Sequence, residues 1–206
     1  MIKAIIFDLF GTLSEGRCNP ERHIILEFHL SLPRDRVERV VCGTKFRSMP
    51  SYVDILIRDL KLPKTQESKR KLNRIFDKEL CKEKMKPGIV PLLRWARKSG
   101  YKLGVISNIP NPRYDVLGQH RLRKLFDAII FSYELGRTKP DPLLFRKALE
   151  KLGVKPSEAV MVGNTIRTDM VGARRMGIKS VLLDPRREHP SFSRRIASLN
   201  GLKKFL

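Results

Sequence analysis

Apolar residues fall in two distinct rhythms along the chain. In five places they run almost without interruption: Lys3 to Phe7, "KLGVIS" ending at Ser107, "AIIFS" ending at Ser132, "AVMVG" ending at Gly163 and "SVLLD" ending at Asp184. A strand covered by helices on both faces must be apolar on both, so such runs predict buried parallel strands rather than half-exposed ones. Elsewhere apolar residues recur at helical spacing, in "GIVPLLRWARKSG" from Gly88, "DPLLFRKALEKLG" from Asp141 and "TIRTDMVGARRMG" from Thr165. Each segment ends in a Gly suited to the left-handed turn that closes a helix. Strand and helix alternate, which is the pattern of a βαβ architecture.

Residues 14–86 break that alternation. Their apolar positions keep helical spacing throughout, in "HIILEFHLSL", "DRVERVVCG", "SYVDILIRDLKL" and "KLNRIFDKELCKEKM", with Leu32-Pro33, Met49-Pro50 and Leu62-Pro63 as punctuation. Proline beside such a run marks a helix boundary. The segment therefore reads as an insertion of three or four helices after the first strand, dividing the chain into a core of residues 1–13 and 87–206 and a helical bundle of residues 14–86. An insertion leaving from the carboxyl end of a strand sits over the crevice where open α/β sheets bind ligands.

Composition narrows the class. The 206 residues, 41% hydrophobic and 31% charged, suit one globular α/β core with a modest insertion and exclude a disordered chain. No apolar run approaches the ~20 residues of a bilayer span, and the N-terminus opens into a strand without a secretory pattern, so a soluble cytoplasmic protein is expected. Cys18, Cys42 and Cys81 form no close pair, which supports neither a disulfide framework nor a zinc site. Lys and Arg number 43 against 21 Asp and Glu, a net charge of +22. An excess of that size fits nucleic acid, an anionic surface or an anionic substrate. It is spread along the chain, with only "RLRK" at 121–124 and "PRREHPSFSRR" at 185–195 dense, so any nucleic-acid binding is expected to be weak.

The candidate chemistry lies at the strand ends. Asp8 closes the first apolar run, Ser107 and Asn108 close the second, Lys139 lies in the loop after the third, and Asn164 and Asp169 follow the fourth. A lone lysine among 43 basic residues carries no message. A carboxylate, a hydroxyl, an ammonium and further oxygens on one edge of one sheet form a set.

That set resembles the haloacid dehalogenase superfamily of hydrolases, most of which are magnesium-dependent phosphatases. The first motif is similar to "DLFGT" from Asp8 to Thr12, the second to "SN" at 107 and 108, the third to "RTKPDP" with Lys139, and the fourth to "GNTIRTD" from Gly163 to Asp169. The resemblance spans essentially the whole chain. It implies a Rossmann-like three-layer core with a five-stranded parallel sheet and a helical cap. It also implies Asp8 as nucleophile, with Thr12, Ser107 and Lys139 as catalytic partners and Asn108 binding a small anionic substrate such as a phosphate ester. Mg²⁺ would be held by Asp8, the backbone carbonyl of Phe10, Asn164 and Asp169, since hard oxygen ligands suit it.

Phe10 departs from the phosphatase pattern, where the residue two after the nucleophile is usually a second Asp that protonates the leaving group. Such help is worth ~10²–10⁴-fold, so its loss predicts a preference for good leaving groups. An aromatic here looks like the dehalogenase branch, yet Ile166 and Phe145 replace the Asn and Tyr of that branch. Asn164 keeps an oxygen ligand while dropping one charge. Three readings stay open: a Mg²⁺-dependent phosphatase acting through an aspartyl-phosphate, a 2-haloacid dehalogenase acting through an aspartyl ester, and a hydrolase-fold protein of low activity that binds an anion or RNA. Arg39, Lys45 and Arg47 in the insertion are candidates for gripping a substrate anion, because Arg suits bidentate contacts.

Overall fold

A computed structural model describes residues 1–15, 19–79 and 83–206. In chain order its main elements are β1 (Ala4–Phe7), β2 (Ser14–Glu15), α1 (Pro20–Glu27), α2 (Arg34–Gly43), α3 (Met49–Asp59), α4 (Gln66–Glu79), β3 (Lys84–Met85), α5 (Ile89–Lys98), β4 (Lys102–Ser107), α6 (Val116–Gln119), β5 (Ala128–Phe131), α7 (Ser132–Leu135), α8 (Pro142–Leu152), β6 (Ala159–Gly163), α9 (Val171–Arg175), β7 (Lys179–Leu183) and β8 (Arg195–Ile196). Cys18 and Cys81 lie outside the described residues, and Cys42 is buried. No described helix is long and apolar enough to cross a membrane.

The sheet has the order β5-β4-β1-β6-β7-β8 and is parallel at every pairing. All five apolar runs are strands in it. The sixth, β8, is an addition to the five-stranded expectation: it is two residues at the edge beside β7, too short to carry a periodicity. Residues of β1 alternate between two apolar clusters. Ile5 and Phe7 share one with Ile89, Leu92, Leu93 and Ala96 of α5, while Ala4 and Ile6 share the other with Leu144, Phe145, Ala148 and Leu152 of α8. Helices thus cover both faces, which is why these strands are apolar throughout. This is a three-layer α/β fold.

Among the described residues the insertion holds four helices, and its entry and exit are an antiparallel ribbon in which Ser14 pairs with Met85 and Glu15 with Lys84. Lys86, just past the ribbon, donates its ammonium to the Gly11 carbonyl. The first apolar cluster continues from β1 through Val37 and Val41 of α2 into Tyr52 and Leu56 of α3. Hydrogen bonds stitch the same boundary: the Ser132 hydroxyl donates to the Cys42 carbonyl at 2.6 Å and the Tyr114 hydroxyl to the Phe76 carbonyl at 3.2 Å.

Candidate active site

Strand β1 is where the sheet order reverses, with β4 and β5 on one side and β6 to β8 on the other. In open α/β sheets the crevice at such a point, beyond the strand carboxyl ends, is where ligands bind. Asp8 is the first residue past β1 and extends its register, its backbone N–H donating to the Val162 carbonyl at 2.9 Å. Its side chain is buried at the floor of a cavity of about 360 Å³.

Lys139 reaches this floor from the loop between α7 and α8. Its ammonium donates to Asp8 Oδ1 at 2.6 Å, to Asp169 Oδ1 at 2.7 Å and to the Ile106 carbonyl at 3.0 Å. Burial alone would favour the neutral amine, but Asp169 and Asp8 override it and hold the group charged. Two carboxylates share this one cation, so burial pushes the Asp169 carboxyl up, to about 6, against the pull of Lys139 and with Asp8 adding to the rise.

Thr12, Asn108 and Ser107 converge on the same point. The Thr12 hydroxyl donates to Asp8 Oδ2 at 2.8 Å and lies 3.4 Å from Asn164 Oδ1. Asn108 accepts the Lys139 backbone N–H at 2.8 Å, which fixes the loop that carries the ammonium. Ser107 Oγ is buried and has no hydrogen-bond partner among the described residues, although Ser107 lines the cavity. A buried hydroxyl without a partner costs free energy, and an oxyanion at the cavity floor would supply the missing acceptor.

One glycine lets the first and fourth loops meet, and a second lets the fourth loop fold back on its own strand. Gly11 sits at φ +78°, and a Cβ there would lie 2.2 Å from Asn164 Nδ2. Asp169 lies on Gly163, where a Cβ would fall 2.3 Å from Asp169 Oδ2. The wide π-type turn over Ile166–Met170 swings Asp169 back, so that its Oδ2 accepts the Thr165 N–H at 3.1 Å. Such turns recur at functional sites.

The oxygens around Asp8 fit a hard cation. Asp8 offers a carboxylate, Asn164 an amide oxygen at the cavity wall, and the Phe10 carbonyl accepts no hydrogen bond among the described residues. Mg²⁺ favours a few such ligands, with water and substrate completing its shell. Asp169 is placed differently from the other three. Its oxygens already face Lys139 and Thr165, which makes it a partner of the ammonium.

The structure does not bring Arg39, Lys45 or Arg47 to the cavity. Arg39 pairs with Asp35 at 2.9 Å one helical turn away, Lys45 lies against Gly136, and Arg47 is exposed. The cavity wall carries other charged residues instead: Glu21 of α1, Arg34 and Glu38 of α2, and Arg167 of the π-type turn. Helical periodicity separates apolar from polar positions but does not say which polar side chain meets the sheet. Phe145 is buried against Gly172 in the core, and Phe10 does line the cavity.

The haloacid dehalogenase-like hydrolase family profile matches residues 2–177. The chain is 32% identical over 196 residues to the glyceraldehyde 3-phosphate phosphatase of Methanopyrus kandleri, covering 88% of this chain and 83% of that protein. Among solved structures, a phosphatase of this family from Thermococcus onnurineus superposes with a TM-score of 0.66 at 26% identity, over 98% of this chain and 97% of that one. A 2-haloacid dehalogenase from Pseudomonas syringae reaches a TM-score of 0.70 at 22% identity over 99% and 97%, a likeness of fold. With motif order, strand-end geometry and full-length matches in agreement, this chain belongs to the haloacid dehalogenase-like hydrolases.

Proposed function

We propose that the protein is a Mg²⁺-dependent phosphatase of small phosphate esters that works through an aspartyl-phosphate at Asp8. The observation that carries this reading is the cavity floor: a carboxylate gripped by one buried ammonium, beside a buried hydroxyl with no acceptor among the described residues. The likeness to a glyceraldehyde 3-phosphate phosphatase over most of both chains supports the substrate class.

In this mechanism Asp8 attacks phosphorus, the bond to the leaving oxygen breaks, and water later cleaves the acyl-phosphate, so that one hard displacement becomes two easier ones. Thr12 and Lys139 orient the Asp8 carboxylate for attack. Lys139 also balances the phosphoryl charge, while Ser107 donates a hydrogen bond to a phosphoryl oxygen. Asn108 binds the substrate indirectly, by fixing the Lys139 backbone. Asp8, the Phe10 carbonyl and Asn164 would hold Mg²⁺, with Asp169 beside them holding Lys139 in place, and the ion would neutralise charge on the transferring group. Residues 14–86 act as a cap over a core of residues 1–13 and 87–206, and the cap side chains at the cavity wall choose the substrate. The protein works in the cytoplasm.

A panel of phosphate esters, run with Mg²⁺ and with chelator beside a chloride-release assay on 2-haloacids, tests the reading. Ester hydrolysis that chelator removes supports it. The placement of Phe10 on the cavity wall favours a second reading, halide displacement by Asp8, and chloride release without Mg²⁺ would select that one.

A further inference from the structure

Three carboxylates line the cavity, and their hydrogen bonds differ. Asp8 has Oδ1 on Lys139 and Oδ2 on Thr12. Glu38 has Oε1 on the Asn108 amide at 3.0 Å and Oε2 facing Arg167 at 3.7 Å. Glu21 places both of its Arg34 contacts, at 3.1 and 2.5 Å, on Oε1 alone, and Arg34 is held in turn by Asn19. Its Oε2 makes no contact with Arg34, the carboxylate also accepts its own backbone N–H, and the residue is 6% exposed on the wall of the cavity that Asp8 and Phe10 also line.

We propose that Glu21 is the general acid and base of this site, supplying from the cap the proton that Phe10 cannot. The proposal rests on the aspartyl-phosphate reading above. In the first step the Asp8 oxygen bonds to phosphorus, the bond from phosphorus to the leaving oxygen breaks, and the Oε2 proton passes to that oxygen, releasing the alcohol. In the second, Glu21 carboxylate takes a proton from the attacking water. Its oxygen bonds to phosphorus, the acyl-phosphate bond breaks, and inorganic phosphate and the Asp8 carboxylate are released. Protons and oxygens balance over the cycle.

The surroundings suit the role. Burial pushes the Glu21 carboxyl up, the Arg34 guanidinium opposes this through its hydrogen bonds and charge, and the Glu38 charge adds to the rise. A general acid works best when its pKa lies near the operating pH. Arg34 and the Glu21 backbone N–H keep the group from titrating too high, and both Arg34 contacts fall on Oε1, so the guanidinium does not cover Oε2.

The test compares Glu21→Gln with wild type on glycerol 3-phosphate, whose alkoxide needs a proton, and on p-nitrophenyl phosphate, whose phenolate does not. We expect kcat/KM to fall by about 10²-fold or more on the alkyl ester and only a few-fold on the aryl ester. Adding Phe10→Asp to that variant should restore the alkyl ester, a rescue that a merely structural role of Glu21 would not allow. Equal losses on both esters, or no rescue, would overturn the assignment and leave Asp8 as nucleophile. A wild type active only on the aryl ester would do the same, and one inactive on both would overturn both readings. If Glu21→Gln does not fold, Arg34→Gln decides: without the guanidinium the Glu21 proton is held to higher pH, so the alkaline limb of the alkyl-ester profile should move up. An unmoved limb overturns the proposal.

Discussion

Lys139 is the residue on which the floor of the site depends. It is 4% exposed and placed between Asp8 and Asp169. Removing one partner from a buried charge cluster typically costs ~3–5 kcal/mol, because the charges left behind lose their compensation. Lys139→Ala should therefore lower the urea midpoint clearly as well as cut turnover; an unchanged midpoint would show that the two carboxylates do not need it. Gly163→Ala probes the same floor from the Asp169 side. Its Cβ would push Asp169 away from Gly163, so turnover should fall by about tenfold or more through loss of the Lys139 geometry, and wild-type turnover would remove Asp169 from the account. Asp8, Ser107, Lys139, Asn164 and Asp169 were legible in the sequence because each follows an apolar run, and parallel strands put all their carboxyl ends on one edge. Glu21, Arg34 and Glu38 were not, because their approach to that edge depends on how α1 and α2 lie across it.

At the scale of elements, the continuous runs announced five strands because burial on both faces leaves no room for polar alternation. β2, β3 and β8 escaped notice: each is two residues long, and their pairing is set by neighbours rather than by pattern. The segment from Thr165 reads as one helix by periodicity, yet its first turn is of π type, where the Thr165 carbonyl accepts from both Asp169 and Met170 N–H groups at 2.9 and 3.4 Å. Helix α8 shows local signals agreeing with the fold. Asp141 caps it by accepting the Leu143 N–H at 2.9 Å, and Gly153 at φ +61° closes it. Asp141→Ala should cost ~1 kcal/mol in chemical denaturation, the usual value of such a cap. No measurable cost would mean that α8 is held by its buried Leu144, Phe145 and Leu152 alone.

Across the whole molecule the +22 charge is dispersed over exposed side chains, many paired with acidic neighbours, such as Arg113 with Asp77 and Arg97 with Asp127. Contacts between dispersed lysines or arginines and phosphates release counterions, so affinity falls steeply with salt. Binding to a random single-stranded RNA, followed by fluorescence anisotropy, should be weak and vanish near physiological ionic strength. Tight binding that persists there would favour the RNA-binding reading over catalysis.

In the proposed mechanism Asp8 attacks phosphorus. Hydrolysis of p-nitrophenyl phosphate with Mg²⁺, compared as kcat/KM between wild type and folded Asp8→Asn, is the decisive measurement, since the aryl group departs from Asp8's attack without needing a proton donor. Wild type should release p-nitrophenolate and Asp8→Asn should lose about 10³-fold or more, as expected when a nucleophile is removed. Turnover by Asp8→Asn within about tenfold of wild type would contradict the account.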